Sequence, residues 1–139
     1  INLNGTYLFS KRACMHFLKH GVEGHIVCIS SKSGFSVTSP GHAHYATAKG
    51  ALTLMVKAMA REFTAKGITI NGVAPGMVRT PLNEDKLSQP HWLKYYEDRI
   101  PVGRISTAHE VAYAVAFLAS EKARFIAGTI VDVTGGMLI

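Results

Sequence analysis

The sequence predicts an α/β fold, a parallel sheet covered by helices on both faces, and two observations predict it. Helical and strand-like segments alternate along the whole chain, which means right-handed parallel crossovers. The strand-like runs are continuous, apolar and rich in β-branched residues, as suits strands buried on both faces.

Residues 3–20 have helical spacing, with Leu3, Tyr7, Ala13, Cys14, Phe17 and Leu18 able to form one apolar side. Gly21 and Gly24 break it. "HIVCIS", 25–30, is the first strand. The loop "SKSGFSVTSPGH", 31–42, follows and is rich in Ser, Gly and Pro. A long helix is predicted over 43–65, because Tyr45, Lys49, Leu52, Val56, Met59 and Phe63 recur at steps of three or four. Gly67 is its stop. "ITINGVA", 68–74, is the second strand, ended by Pro75 and Gly76. Residues 77–103 read as irregular, with Trp92, Tyr95 and Tyr96 in a short helix. "TAHE", 107–110, is a capping box that opens a helix with the stripe Val111, Ala114, Val115 and Leu118. "GTIVDVTGG", 128–136, is the third strand. No repeat or linker divides the chain, so residues 1–139 read as one domain.

A three-stranded sheet is small, and its first strand would present an open edge. The opening "INLNGTYLFSKRA" reads as the inside of an element. Both features lead us to expect that an N-terminal part of a longer protein is absent.

The composition, 47% hydrophobic and 17% charged, is that of a globular chain rather than a disordered one. No apolar run approaches the roughly 20 residues that span a bilayer, and no signal-peptide pattern is present. The net charge is +6, but Lys and Arg are scattered without a basic run, which argues against nucleic acid as a partner. Cys14 and Cys28 do not form a zinc or redox motif and suit buried thiols in a reducing, cytoplasmic setting. His16 and His20 lie four apart, but no third ligand is evident, so no metal is expected.

The chemistry concentrates in "HYATAK", 44–49. Tyr45 and Lys49 stand at i and i+4 and face the same way. A neighbouring cation favours the phenolate and turns a tyrosine into a usable acid–base. Taken alone, the pair is an ordinary helix neighbour pair. Ser30 and Ser31, however, end the first strand, and Pro75–Gly76 end the second. The C-terminal ends of parallel strands are where α/β sheets hold ligands.

The ordered motifs "INLNG" (1–5), "ISSKSG" (29–34), "YATAK" (45–49), "NGVAPGMVRT" (71–80) and "VDVTGG" (131–136) resemble the short-chain dehydrogenases/reductases over essentially the whole chain. The resemblance implies a Rossmann-type doubly wound parallel sheet, here lacking its N-terminal strands. It implies hydride transfer between NAD or NADP and a small alcohol or carbonyl substrate. Tyr45 would be the acid–base and Lys49 its activator and a ribose ligand. Ser31, preferred to Ser30, would orient the carbonyl. Asn2, ahead of Asn4, would hold a proton-relay water. Pro75, Gly76, Val78 and Thr80, with Tyr45 and Lys49, would hold the nicotinamide end of the cofactor. His42, His44, Met77 and Trp92 are candidate substrate contacts. Residues 77–100 resemble the family's mobile substrate lid, in which Met77, Leu82, Leu87, Trp92, Tyr95 and Tyr96 either cover substrate or pack elsewhere.

The family's Thr-Gly-x-x-x-Gly-x-Gly phosphate loop and Asn-Asn-Ala-Gly segment are absent, and Val133–Thr134 replace a common Asp. The family also implies a homo-oligomer, dimer or tetramer, formed through the helices that start near residues 3 and 43. Within the family, "HYATAKGALTLM" and "RTPLNEDKL" are most similar in texture to glucose 1-dehydrogenases and 3-oxoacyl-carrier-protein reductases. The competing expectation is a non-catalytic remnant that acts only by pairing its open edge with another chain.

Overall fold

The computed structural model describes residues 1–36 and 40–139, so part of the expected 31–42 loop, residues 37–39, lies outside the described residues. The elements in chain order are α1 (Asn4–His20), β1 (Gly24–Ile29), α2 (Ala43–Phe63), β2 (Ile68–Pro75), α3 (Glu84–Leu87), α4 (Pro90–Glu97), α5 (Ala108–Leu118) and β3 (Ile130–Val133). Single 3₁₀ turns occur at Lys32–Gly34, Thr64–Lys66 and Glu121–Ala123. The strands form one parallel sheet in the order β1-β2-β3.

Alternation along the strands sorts the core into two layers. Cys28, Ile68 and Ile70 face Leu52, Val56, Met59 and Phe63 of α2 and Cys14 of α1. Val27, Val73, Val131 and Val133 face Val111, Ala114, Val115 and Leu118 of α5 on the other side. Each large apolar side chain so buried contributes about 1.5–3 kcal/mol. Asn71 is fully buried on β2 and spends its amide on the turn before β3. Its Nδ2 donates to the Ile126 carbonyl at 2.8 Å, and its Oδ1 accepts from Thr129 N–H at 3.2 Å.

The predicted stripes of α2 and α5 face the core. That of α1 needs correction: Tyr7 and Leu18 are exposed, and the inward side is Leu3, Ser10, Cys14 and Phe17. The reason is position. α1 packs beside β1, the edge strand, so only a narrow line of it meets the protein. The α2 helix ends at Phe63, two residues early, and passes through a 3₁₀ turn to Gly67, whose φ of 80° is left-handed. The expected capping box is present: Thr107 Oγ1 accepts from Glu110 N–H while the Glu110 carboxylate accepts from Thr107 N–H. The third strand is shorter than its sequence signal, only Ile130–Val133. The 77–103 stretch carries two short helices, α3 and α4, rather than one.

Candidate active site

β1 delivers Ser30 and Ser31 to the C-terminal edge of the sheet, and the two hydroxyls do different things. Ser30 is buried, with Oγ 3.2 Å from the Lys49 carbonyl oxygen and 3.2 Å from Thr53 Oγ1. Ser31 caps the 3₁₀ turn by accepting from Ser33 N–H at 3.1 Å, and it lines a cleft of about 470 Å³. Tyr45, His42, Gly76, Met77 and Trp92 line the same cleft.

Close backbone packing fixes this arrangement. A Cβ at Gly34 would stand 2.8 Å from the Lys49 carbonyl carbon and oxygen. Only a glycine lets the turn after Ser31 rest directly on α2 beside Tyr45 and Lys49.

Lys49 is 8% exposed, and its Nζ donates to the Ile29 carbonyl oxygen at 2.7 Å. That Nζ lies 5.7 Å from the centroid of the Tyr45 ring, within cation–π reach. Burial pushes the Lys49 ammonium below its ordinary pKa, and the charge of Cys28 opposes part of that shift. Lys49 also lines a second groove, of about 720 Å³, with Ile1, Gly5 and Cys28 along the free edge of β1. Asn2 is exposed next to that groove, and its carbonyl accepts from the Thr6 hydroxyl at 3.1 Å.

At the end of β2, Gly76 approaches β3 so closely that a Cβ would stand 2.9 Å from Thr134 Cα. Pro75 closes the strand and lies outside the cleft lining. The loop beyond is pinned by two residues that the sequence reading missed. Asn83 donates to the Val78 carbonyl at 2.7 Å and accepts from Thr80 N–H at 2.9 Å. Ser106 Oγ donates to the Met77 carbonyl at 3.1 Å. The Thr80 hydroxyl takes no part in this network. The signal for Asn83 was its place in "TPLN", a turn-type pattern.

Of the aromatic residues expected at 77–100, Trp92, Tyr95 and Tyr96 line the cleft. Leu87 instead packs with Ile100 and Ile105 in a small core of its own, and Leu82 is 97% exposed. His42 Nδ1 donates to the Pro40 carbonyl at 3.1 Å, whereas His44 is exposed and outside the cleft lining. The reading also missed Lys86 and Arg99, which line the cleft beside these aromatics. On α1, the His16 and His20 ring centroids lie 4.4 Å apart, and neither lines this cleft.

The arrangement can present a hydroxyl, a phenol and a nearby buried ammonium to a small carbonyl or alcohol. Comparison with known proteins agrees in kind. A family model described as enoyl-(acyl carrier protein) reductase matches residues 1–138. The 3beta-hydroxysteroid dehydrogenase 1 of Eggerthella lenta is 35% identical over all of this chain and 53% of its own length. A 3-oxoacyl-[acyl-carrier-protein] reductase of Rickettsia conorii is 37% identical over all of this chain and 56% of its own. The structure of a gluconate 5-dehydrogenase from Burkholderia cenocepacia, in complex with NADP and tartrate, superposes with a TM-score of 0.90 at 31% identity. It covers 99% of this chain and 53% of that one. The chain thus spans about half the length of the curated relatives it matches.

Proposed function

The chain belongs to the short-chain dehydrogenase/reductase family and has the parallel sheet of that family's Rossmann fold; from that premise we propose that it carries the catalytic part of an NAD(P)-dependent oxidoreductase that interconverts a small alcohol and its carbonyl. One observation carries the reading: Ser31 and Tyr45 face one cleft, and the Lys49 ammonium lies behind the Tyr45 ring.

In this reading the Tyr45 hydroxyl gives a proton to the substrate oxygen during reduction and takes it back during oxidation. The Ser31 hydroxyl holds the same oxygen and stabilises charge that develops on it. The Lys49 ammonium, behind the Tyr45 ring, would bind the nicotinamide ribose, and Asn2 would hold a proton-relay water. Pro75, Gly76, Val78 and Thr80 would hold the nicotinamide end of NAD or NADP, a cofactor that would supply or accept the hydride. The residues present fit that end only: the Gly76 backbone is at the cleft, and the chain has no glycine-rich loop for the phosphates. The NADP held by the Burkholderia relative supports the cofactor class. His42, Met77 and Trp92, which line the cleft, would touch substrate, and His44, outside its lining, is the weakest of the four candidates.

We further place the protein in the cytoplasm, as its two unpaired cysteines suit, and in a homo-oligomer. Leu8, Phe9 and Met15 of α1 and Leu54 of α2 are exposed apolar residues that such an assembly would cover. Among the described residues, no helix is long and apolar enough to cross a membrane.

The free edge of β1 favours a second reading, a non-catalytic chain that pairs with a partner strand. Mixing with NAD(P)H separates the two, because the enzyme should enhance the cofactor's fluorescence and the remnant should not. In the full-length protein, Tyr45→Phe should cost roughly two or more decades of turnover. Near wild-type turnover in that variant would remove Tyr45 from its role.

A further inference from the structure

The cleft lining is one-sided in charge. Lys32, Lys86 and Arg99 contribute to it, and among the described residues no carboxylate does. This is not for want of acids, since the chain has 9 Asp and Glu residues and pairs several of them elsewhere. Arg79 pairs with Glu84, Lys94 with Asp98, Arg104 with Glu110, and Arg124 with Glu23.

Lys86 and Arg99 are instead held by aromatic groups. Lys86 Nζ lies 4.0 Å from the centroid of the Trp92 ring and donates to Tyr96 Oη at 2.9 Å. The Arg99 guanidinium lies 3.7 Å from the Tyr95 centroid, and its Nη1 donates to the Tyr95 carbonyl at 2.9 Å. Ring faces and neutral acceptors position a cation without neutralising it. An ammonium has three donors and a guanidinium five, so both groups retain donors after these bonds. Cations so placed against aromatic walls favour an incoming oxyanion through charge-assisted hydrogen bonds.

We propose that the substrate is anionic, a hydroxy or oxo compound bearing a carboxylate, whose negative group is met by Lys86 and Arg99 while its reacting carbon faces Ser31 and Tyr45. The inference rests on the dehydrogenase reading and deepens it. Lys86 and Arg99 belong to the 84–100 segment, whereas Ser31 follows β1 and Tyr45 lies on α2, so the carboxylate and the reacting carbon are met by different parts of the chain.

The test is a binding measurement that needs no turnover. Succinate, glutarate and adipate, and their neutral diamides, are titrated calorimetrically into the full-length protein saturated with NAD(P)H. Saturation keeps the cofactor's own phosphates out of the comparison. Quenching of Trp92 fluorescence, assigned with Trp92→Phe, reports binding in this cleft. At least one diacid is expected to bind about tenfold or more tightly than its diamide. Added salt should shrink the difference, and Arg99→Gln and Lys86→Met should each remove most of it. Lys86→Met also loosens Trp92 and Tyr96, so Arg99→Gln, at an exposed side chain, is the cleaner variant. Equal binding of diacid and diamide, no diacid binding, or a preference that survives both substitutions overturns the proposal. Turnover of neutral alcohols without diacid binding would overturn it and leave the dehydrogenase reading intact. Diacid binding without turnover of any alcohol or carbonyl would uphold the Lys86–Arg99 anion site and count against the dehydrogenase reading.

Discussion

Ser30 Oγ donates to the carbonyl oxygen of Lys49 at 3.2 Å, so the residue after β1 is fastened to the backbone of the residue behind Tyr45. The neighbouring Ser31 is left to face the cleft. Two adjacent serines thus divide the work, one joining strand to helix and one lining the cleft.

That division predicts different phenotypes. Ser30→Ala removes a buried hydrogen bond and should cost about 1 kcal/mol of stability, with turnover changed little. Ser31→Ala should cost a similar amount through the lost cap on Ser33 N–H, and should also lower turnover by about 10²–10³-fold through the lost oxyanion donor. Urea denaturation and kcat on the full-length protein measure both. If Ser30→Ala loses as much turnover as Ser31→Ala, Ser31 is not the orienting hydroxyl.

Much of this arrangement was readable in the sequence, and what was not has a physical reason. The strands were legible because burial on both faces demands unbroken β-branched runs such as "HIVCIS". The α2 and α5 stripes were legible because each helix lies over the sheet. Tyr7 and Leu18 of α1 were misassigned because periodicity reveals a face without revealing how much protein lies beneath it. At the site, Tyr45 and Lys49 were legible as an i, i+4 pair, and Ser31 and Gly76 as strand ends. Lys86, Arg99 and Asn83 were not. Lys86 reaches Trp92 and Tyr96 only after α3 and α4 fold against each other. Asn83 matters only through the backbone of Val78 and Thr80.

The two glycines at the contact between the Ser31 turn and α2 should respond in opposite directions. At Gly34 a methyl would press on helix backbone at 2.8 Å, which cannot give way as a side chain can. Gly34→Ala should therefore destabilise by about 1–3 kcal/mol. It should also lower turnover, since a shift of roughly 1 Å in a catalytic group can cost about 100-fold. At Gly50, within α2, a Cβ would meet the Gly34 carbonyl oxygen at 3.4 Å, an ordinary contact. Gly50→Ala should be neutral or stabilising by up to about 1 kcal/mol, as alanine is in a helix interior. Chemical denaturation of both variants checks the pair. A harmless Gly34→Ala would mean that the turn can lift off α2 without consequence.

The acid limb of stability should depend on Glu110. Its carboxyl is pulled down from an ordinary 4.5 to about 2, first by the hydrogen bond from Arg104, then by the Thr107 backbone N–H. Folding thus favours the charged form. A group whose pKa is depressed in the folded state adds stability that is complete above its unfolded value. That contribution is lost as pH falls from 4.5 towards about 2. Glu110→Gln cannot titrate, so its melting temperature should fall less steeply than that of the unsubstituted protein across this window. It should also start lower at neutral pH, because the Arg104 pair is gone. Both groups are exposed, so the difference between the two proteins should be largest at low ionic strength and shrink with added salt. Identical acid profiles at low salt would mean that the Arg104–Glu110 pair does not persist in solution, and the capping box would then rest on the Thr107 hydroxyl alone.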